Sequence, residues 1–254
     1  MAKTAFDPQV NGFAFTNAFA LSDEERTWLL TAVAITIDSA LGMLGPFGLA
    51  ARLTGTRDKL AQLLVSALPD RYGLCGGMAF AALDYFRARA PTPQGTGPDD
   101  QPPVGSALRM YLWRRLLDSW ALNGATFLEW IARLHILPMR WPFDAGPRAL
   151  RDRSRVAWLA LQQHVDAGDP IPLGLVGDAR DPFLDHQVLC YGYERRSELA
   201  GTIYVYDMNC PGRAQTIEID LSAEVLVATE SCPRMDNALR GFFCEAYAAQ
   251  LPPG

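Results

Sequence analysis

The hydrophobic pattern of this chain changes once, near residue 167, and that change limits the folds it can adopt. Before residue 167, apolar residues recur at helical spacing. After it, short β-branched and aromatic runs are separated by Gly, Pro, Asp and Asn turns. The chain has 254 residues, 49% of them hydrophobic, which is enough for a sizeable core. We therefore predict an α+β fold in which helices pack on an antiparallel sheet.

The predicted helices begin at a capping box. Ser22 is followed three residues later by Glu25, and the helix that starts there should run to about Leu41. The other predicted helices span 57–68, 75–90, 105–122, 125–135 and 148–167. The predicted strands are 171–176, 186–194, 202–207, 214–220 and 240–247.

These elements favour one interlocked domain over residues 1–254, with a mainly helical part (1–167) and a mainly antiparallel sheet (168–254). The strands that would cover the helices lie far along the chain, so neither part buries its apolar face alone. The stretch 90–105, APTPQGTGPDDQPPVG, has no apolar period and should form an exposed loop, a candidate lid over a site.

Composition argues against several partners and locations. A net charge of −5 gives no general attraction for nucleic acid or anionic lipid. Residues 1–20 lack the apolar run of a signal peptide, and the apolar segment 28–51 is interrupted by Asp38 and several glycines, so no membrane span is expected. Five cysteines without a CxxC pair fit a reducing compartment better than a disulfide framework, which predicts a cytoplasmic protein.

The sequence YGLCGGMAF (72–80) places a cysteine between glycines at the start of a predicted helix. Glycine costs a helix interior about 1 kcal/mol relative to alanine, so a purely structural helix gains nothing from Gly76 and Gly77. A free cysteine has a pKa near 8.5, and a helix N-terminus with an adjacent imidazole favours the reactive thiolate. Cys75 is therefore the candidate nucleophile.

Three histidines are available as its partner. His135 and His164 close predicted helices, where a solvated residue is the ordinary interpretation. His186 opens a strongly apolar strand in DHQVLCYGYE, and Asp207 ends the next strand, TIYVYD. A hairpin loop at 195–201 should pair the two strands antiparallel, which brings His186 and Asp207 to the same end of the sheet. A carboxylate there would orient the imidazole.

The motifs GLCGGM, DHQVLCYGYE and YVYDMNCPG, in that order, resemble the papain-like cysteine peptidase superfamily, most closely its bacterial peptidase-like branch related to bacteriocin-processing proteases. The resemblance implies a papain-like fold in which a nucleophile helix packs on the C-terminal sheet. It also implies that Cys75 is the nucleophile, His186 the general base and Asp207 the orienting residue, with a peptide or amide as substrate and no cofactor or metal.

One departure concerns the oxyanion hole. Papain-like peptidases usually have a glutamine shortly before the cysteine, and none lies between Gln62 and Cys75. The backbone N–H of Cys75 still serves as one donor, and the second candidate donors are Arg71, Asn11 and Asn17.

Three alternatives remain open from the sequence. The same residue order serves transglutaminase-like acyl transfer to an amine, which shares the acyl-enzyme. A metal site of Cys75, His186, Asp207 and Cys210 would lack the usual zinc-ligand spacing. A catalytically inactive binding module is the third alternative, because fold does not establish function. Oligomeric state and substrate identity are not readable from the sequence.

Overall fold

The structure is a computed structural model, and it describes all residues except 43–61, 63–70, 96, 98, 136, 138–143, 180–183 and 233–236. The described helices are α1 (Pro8–Asn11), α2 (Asp23–Gly42), α3 (Cys75–Ala88), α4 (Ala107–His135) and α5 (Pro147–Asp166). The described strands are β1 (Ala2–Lys3), β2 (Phe19–Ala20), β3 (Arg71–Tyr72), β4 (Ile171–Gly177), β5 (His186–Arg195), β6 (Ala200–Tyr206), β7 (Gln215–Asp220), β8 (Val227–Glu230) and β9 (Leu239–Cys244).

The main sheet has the strand order β8-β7-β6-β5-β4-β9, with β1 added beside the far end of β5. Every pairing described in it is antiparallel, and β2 and β3 form a separate antiparallel pair. The predicted hairpin is confirmed: β5 pairs with β6, and Leu189 lies opposite Tyr206. The first residue of β5 and the residue after β6 therefore come to the same end of the sheet.

Helices cover both faces of the sheet. Successive side chains of a strand point to opposite faces, so neighbouring residues of β5 pack against different helices. Leu189 and Tyr191 belong to the apolar cluster that contains α3 and the start of α4. Val188 and Cys190 alternate with these two residues along β5, and they belong to the cluster that contains α5. The helical and sheet parts thus share their buried surface, and the α+β class predicted from the sequence is confirmed at that level.

The N-terminal segment packs as part of this core. The predicted capping box is confirmed: Glu25 N–H donates to Ser22 Oγ at 3.2 Å, and Ser22 N–H donates to Glu25 Oε2 at 2.9 Å. The loop 90–105 carries no helix or strand over its described residues. It is attached to the N-terminal segment by Gln94, whose Nε2 donates to Gly12 O at 2.7 Å.

The prediction of two helices over 105–135 is wrong. α4 is continuous, and Gly124 lies buried inside it. A tertiary contact supports this region: Asn123 accepts from Ala246 N–H at 2.8 Å and donates to Ala246 O at 3.0 Å, which attaches the helix to the chain after β9. Strands β8 and β1–β3 are additional to the predicted ones. The helix predicted over 57–68 lies outside the described residues apart from Gln62.

The expectation of cysteines without a disulfide is also wrong. Cys210 and Cys232 are bonded, with Cα atoms 6.0 Å apart, while Cys75, Cys190 and Cys244 are free. The folding of β7 and β8 brings together two cysteines 22 residues apart, which no local spacing indicates. Disulfides persist mainly in oxidising compartments, so the pair weighs against the predicted cytoplasmic location. Over the described residues, no helix has the length and apolarity needed to cross a bilayer.

Candidate active site

Helix α3 begins at Cys75, and the residue just before it is held by a side chain from a distant part of the chain. Asn17 Oδ1 accepts a hydrogen bond from Leu74 N–H at 2.5 Å. The next N–H groups, starting with that of Cys75, lie in the first turn and have no partner within the helix. The half-buried Cys75 side chain therefore stands at the positive end of the helix dipole.

The glycines after Cys75 allow this helix end to approach its neighbours closely. A Cβ atom on Gly76 would overlap Gln187 Oε1 and Ser119 Oγ, and one on Gly77 would overlap the backbone carbonyl of Leu112 on α4. The glycines that weaken the helix are therefore required by packing around the cysteine.

His186 and Asp207 meet as their strand ends predict. His186 Nε2 lies 2.9 Å from Asp207 Oδ1, and both side chains are buried. The same carboxylate oxygen accepts from Asn209 N–H at 2.9 Å, so Asp207 also starts the turn after β6. Burial alone would lower the pKa of His186, but the charge and hydrogen bond of Asp207, together with Cys75, raise it to about 10. The imidazolium form is thus favoured.

Cys75 lies within hydrogen-bonding reach of the same ring. Because Nε2 is engaged by Asp207, Nδ1 is the ring nitrogen left for the sulfur. The structure thus brings Cys75, His186 and Asp207 into contact in that order. In this arrangement a sulfur can give its proton to an imidazole that a buried carboxylate stabilises.

The three predicted oxyanion residues have different surroundings. Asn17 lies beside the triad, where Nδ2 donates to Asn209 Oδ1 at 3.0 Å. Asn209 Nδ2 in turn lies 3.3 Å from His186 Nε2. Arg71 is exposed and donates from Nε to Ala18 O at 3.1 Å. Asn11 is engaged at α1, where its Oδ1 accepts from Asp7 N–H at 2.8 Å.

A polar cluster that the sequence did not reveal lies on the inner side of the sulfur. Gln187 Oε1 is 3.9 Å from Cys75 Sγ, and Gln187 Nε2 donates to Glu245 Oε1 at 2.5 Å. Ser119 Oγ on α4 contacts both ends of the Gln187 amide, at 3.2 and 3.3 Å. Gln187 could have been suspected because it follows His186 directly. Ser119 and Glu245 carry no local signal.

The remaining histidines and cysteines have other surroundings. His164 is exposed in the last turn of α5, and His135 contacts Ala179 O at 3.2 Å. Burial raises the pKa of the Cys190 thiol, which is completely enclosed. Burial likewise raises the pKa of Cys244 to about 12. Neither thiol has an environment that favours the thiolate.

Of the three acidic residues shortly before His186, the structure describes two. Asp178 pairs with Arg240 at 2.9 Å, and Asp185 Oδ1 accepts from Gly177 N–H at 2.8 Å. Asp181 lies outside the described residues. Asp178 and Asp185 thus have structural partners in and beside the sheet.

Comparison of the chain with protein-family models, with curated proteins and with solved structures gives no match. The described residues contain no group of three or more His, Cys, Asp or Glu side chains that could hold a metal ion. Cys210, which the metal alternative requires, has its sulfur bonded to Cys232. The geometry itself therefore carries the functional argument.

Proposed function

We propose that the protein is a cysteine hydrolase with a papain-like arrangement, acting on a peptide or another amide through an acyl-enzyme. The observation that carries this proposal is the contact of a helix-terminal Cys75 with His186, whose Nε2 is 2.9 Å from a buried Asp207 carboxylate. A nucleophile that opens a helix, a base that opens a strand and an acid after the next strand also follow the papain-like order.

In this reaction the Cys75 thiolate attacks the substrate carbonyl carbon, and His186 gives its proton to the leaving amine. A water molecule then attacks the thioester while His186 takes its proton, and the Cys75 sulfur leaves as thiolate, which releases the acid and restores the thiolate–imidazolium pair. Asp207 keeps the ring oriented and stabilises the imidazolium through both steps.

The oxyanion that forms in each step needs donors at the helix end. The Cys75 backbone N–H is the first. For the second we favour Asn17, because one Nδ2 proton is directed at Asn209 and the other remains for the substrate. A Cβ atom on Gly73 would lie 2.7 Å from that nitrogen, so glycine at 73 keeps the amide accessible.

Alkylation tests the nucleophile without knowledge of the substrate. Iodoacetamide near pH 6, followed by peptide mass spectrometry, should label Cys75 far ahead of Cys190 and Cys244. His186→Ala should move the Cys75 labelling profile to higher pH, whereas His164→Ala, an exposed matched change, should leave it in place. Equal labelling of the free cysteines would favour the inactive binding module. So would a Cys75 labelling profile that is the same in wild type and in His186→Ala.

The reaction class needs a separate assay. Fluorogenic peptide and amide libraries should give turnover that Cys75→Ala abolishes. Adding a primary amine then separates hydrolysis from acyl transfer, because a transferase would form the amine adduct at the expense of the free acid. Turnover that survives Cys75→Ala would overturn the proposal.

A further inference from the structure

The cluster behind Cys75 contains a carboxylic acid that the proposed reaction does not use. Glu245 follows β9, where its backbone N–H donates to Pro172 O at 2.9 Å, and the residue is 4% exposed. Glu245 Oε1 accepts from Gln187, while Oε2 has no hydrogen-bond partner among the described residues. A buried carboxyl with one oxygen lacking a hydrogen bond destabilises the fold, so its presence beside the sulfur calls for a functional reason.

Gln187 connects this carboxyl to the sulfur. One end of its amide bonds Glu245 at 2.5 Å, and the other end is 3.9 Å from Cys75 Sγ. Ser119 Oγ accepts from one end and donates to the other, so it accommodates either orientation of the amide. The amide can therefore turn over without losing its partner on α4.

The protonation state of Glu245 sets which orientations of the Gln187 amide it can accept. An ionised carboxylate only accepts, so it binds Gln187 Nε2 and leaves Oε1 facing the sulfur. An oxygen in that position accepts from a thiol and repels a thiolate. A neutral carboxylic acid keeps an acceptor oxygen but gains an O–H that can donate to Oε1. In that second orientation Nε2 faces the sulfur, where it can donate to the thiolate.

We propose that Glu245 is a positioning residue that, through the Gln187 amide, sets whether a hydrogen-bond acceptor or a donor faces the Cys75 sulfur. The neutral acid supports the thiolate, and its ionisation opposes it. This inference deepens the proposed function and rests on Cys75 being the nucleophile.

The electrostatic surroundings of Glu245 agree with a group that titrates in the working range. Burial raises the pKa of Glu245 to about 8, against the opposing effects of the Gln187 hydrogen bond and the His186 charge. The titratable groups that interact with it or with its Gln187 partner are His186 on β5, Cys244 on β9 and Cys75 on α3. α4 contributes the uncharged Ser119.

The test is the rate of Cys75 alkylation by iodoacetamide between pH 5 and 10, measured on the full chain. The wild-type profile should rise in two steps, because ionisation of Glu245 opposes thiolate formation. Glu245→Gln mimics the neutral acid and should give one step, displaced by about one pH unit to lower pH in the alkaline range. Glu194→Gln, an exposed change at the far end of β5, should keep both steps.

A second variant keeps the inference falsifiable if Glu245→Gln fails to fold. Gln187→Met removes both ends of the amide at similar volume and should also give a single step. Adding Glu245→Gln to Gln187→Met should then change nothing further. A one-step wild-type profile, or a Glu245 effect that persists in the Gln187→Met background, overturns the inference.

Failure of the two proposals is distinguishable in the same measurement. If His186→Ala shifts the Cys75 profile and Glu245→Gln does not, the nucleophile assignment stands and this inference falls. If Glu245→Gln shifts the profile and His186→Ala does not, the proposed function falls, and the link between Glu245 and the sulfur remains.

Discussion

Asn17 Nδ2 donates a hydrogen bond to Asn209 Oδ1 at 3.0 Å, while Asn17 Oδ1 accepts from Leu74 N–H at 2.5 Å. The backbone reinforces this connection, since Asn17 N–H donates to Met208 O at 3.0 Å. One side chain from the N-terminal segment thus joins the start of the cysteine helix to the turn that follows Asp207.

Asn17→Ala should impair both the helix end and the active-site geometry. It removes the acceptor of Leu74 N–H and the hydrogen bond to Asn209, and each lost hydrogen bond costs about 1 kcal/mol. We expect a lower midpoint in urea unfolding and slower Cys75 alkylation at pH 6. The matched control is Asn11→Ala, which likewise removes an amide that accepts from a backbone N–H beside a helix start, that of Asp7. Slowing of equal size in both variants would contradict a specific role for Asn17.

The sequence predicted the parts of the site that local pattern determines. Cys75 lies where helical spacing begins, and the short loop between two apolar strands was enough to place His186 beside Asp207. Glu245 and Ser119 come from the end of β9 and the middle of α4, so only the tertiary fold brings them to Gln187. The same holds for the Cys210–Cys232 pair, and for Gly124, where tertiary contacts override a local helix-breaking signal.

A buried ion pair holds α2 against α4 and gives a second prediction. Glu25 Oε1 accepts from Arg109 Nε at 2.6 Å and from Trp113 Nε1 at 2.5 Å. Glu25→Gln leaves the Arg109 charge buried without its partner and should lower the free energy of unfolding by about 3–5 kcal/mol. The control is Glu24→Gln, an exposed neighbour that should change it by less than about 0.5 kcal/mol.

The same pair predicts a stability change in acid. Burial would raise the pKa of Glu25, but its hydrogen bonds to Arg109 and Ser22 and the Arg109 charge hold it below the ordinary value of 4.5. The contribution is therefore present above pH 4.5 and is lost as pH falls through the folded-state pKa. Measured by urea unfolding, the difference in unfolding free energy between wild type and Glu25→Gln should shrink from pH 6 to pH 3.

Glu245 should affect the pH dependence of the unfolding free energy in the opposite direction to Glu25. Its pKa is raised from 4.5 to about 8, so its proton contributes stability that is fully present below pH 4.5 and is lost as pH rises through 8. Glu245→Gln cannot ionise and should gain stability relative to wild type across that range, by a few kcal/mol in total. Unfolding free energies of both proteins at pH 4.5 and pH 9 measure this gain, and a constant difference would contradict it.

The Cys210–Cys232 disulfide lies just beyond Asp207, and the two are joined by a hydrogen bond from Cys210 N–H to Asp207 O at 3.1 Å. Reduction releases a closed segment of about 22 residues, so the chain-entropy model predicts a loss of about 3 kcal/mol in unfolding free energy. Protein purified without reductant should titrate three thiols when denatured, and its melting temperature should fall on reduction. Cys210→Ser should melt at the reduced temperature with or without reductant, whereas Cys244→Ser should keep the response. Five titratable thiols in that preparation would contradict the Cys210–Cys232 bond.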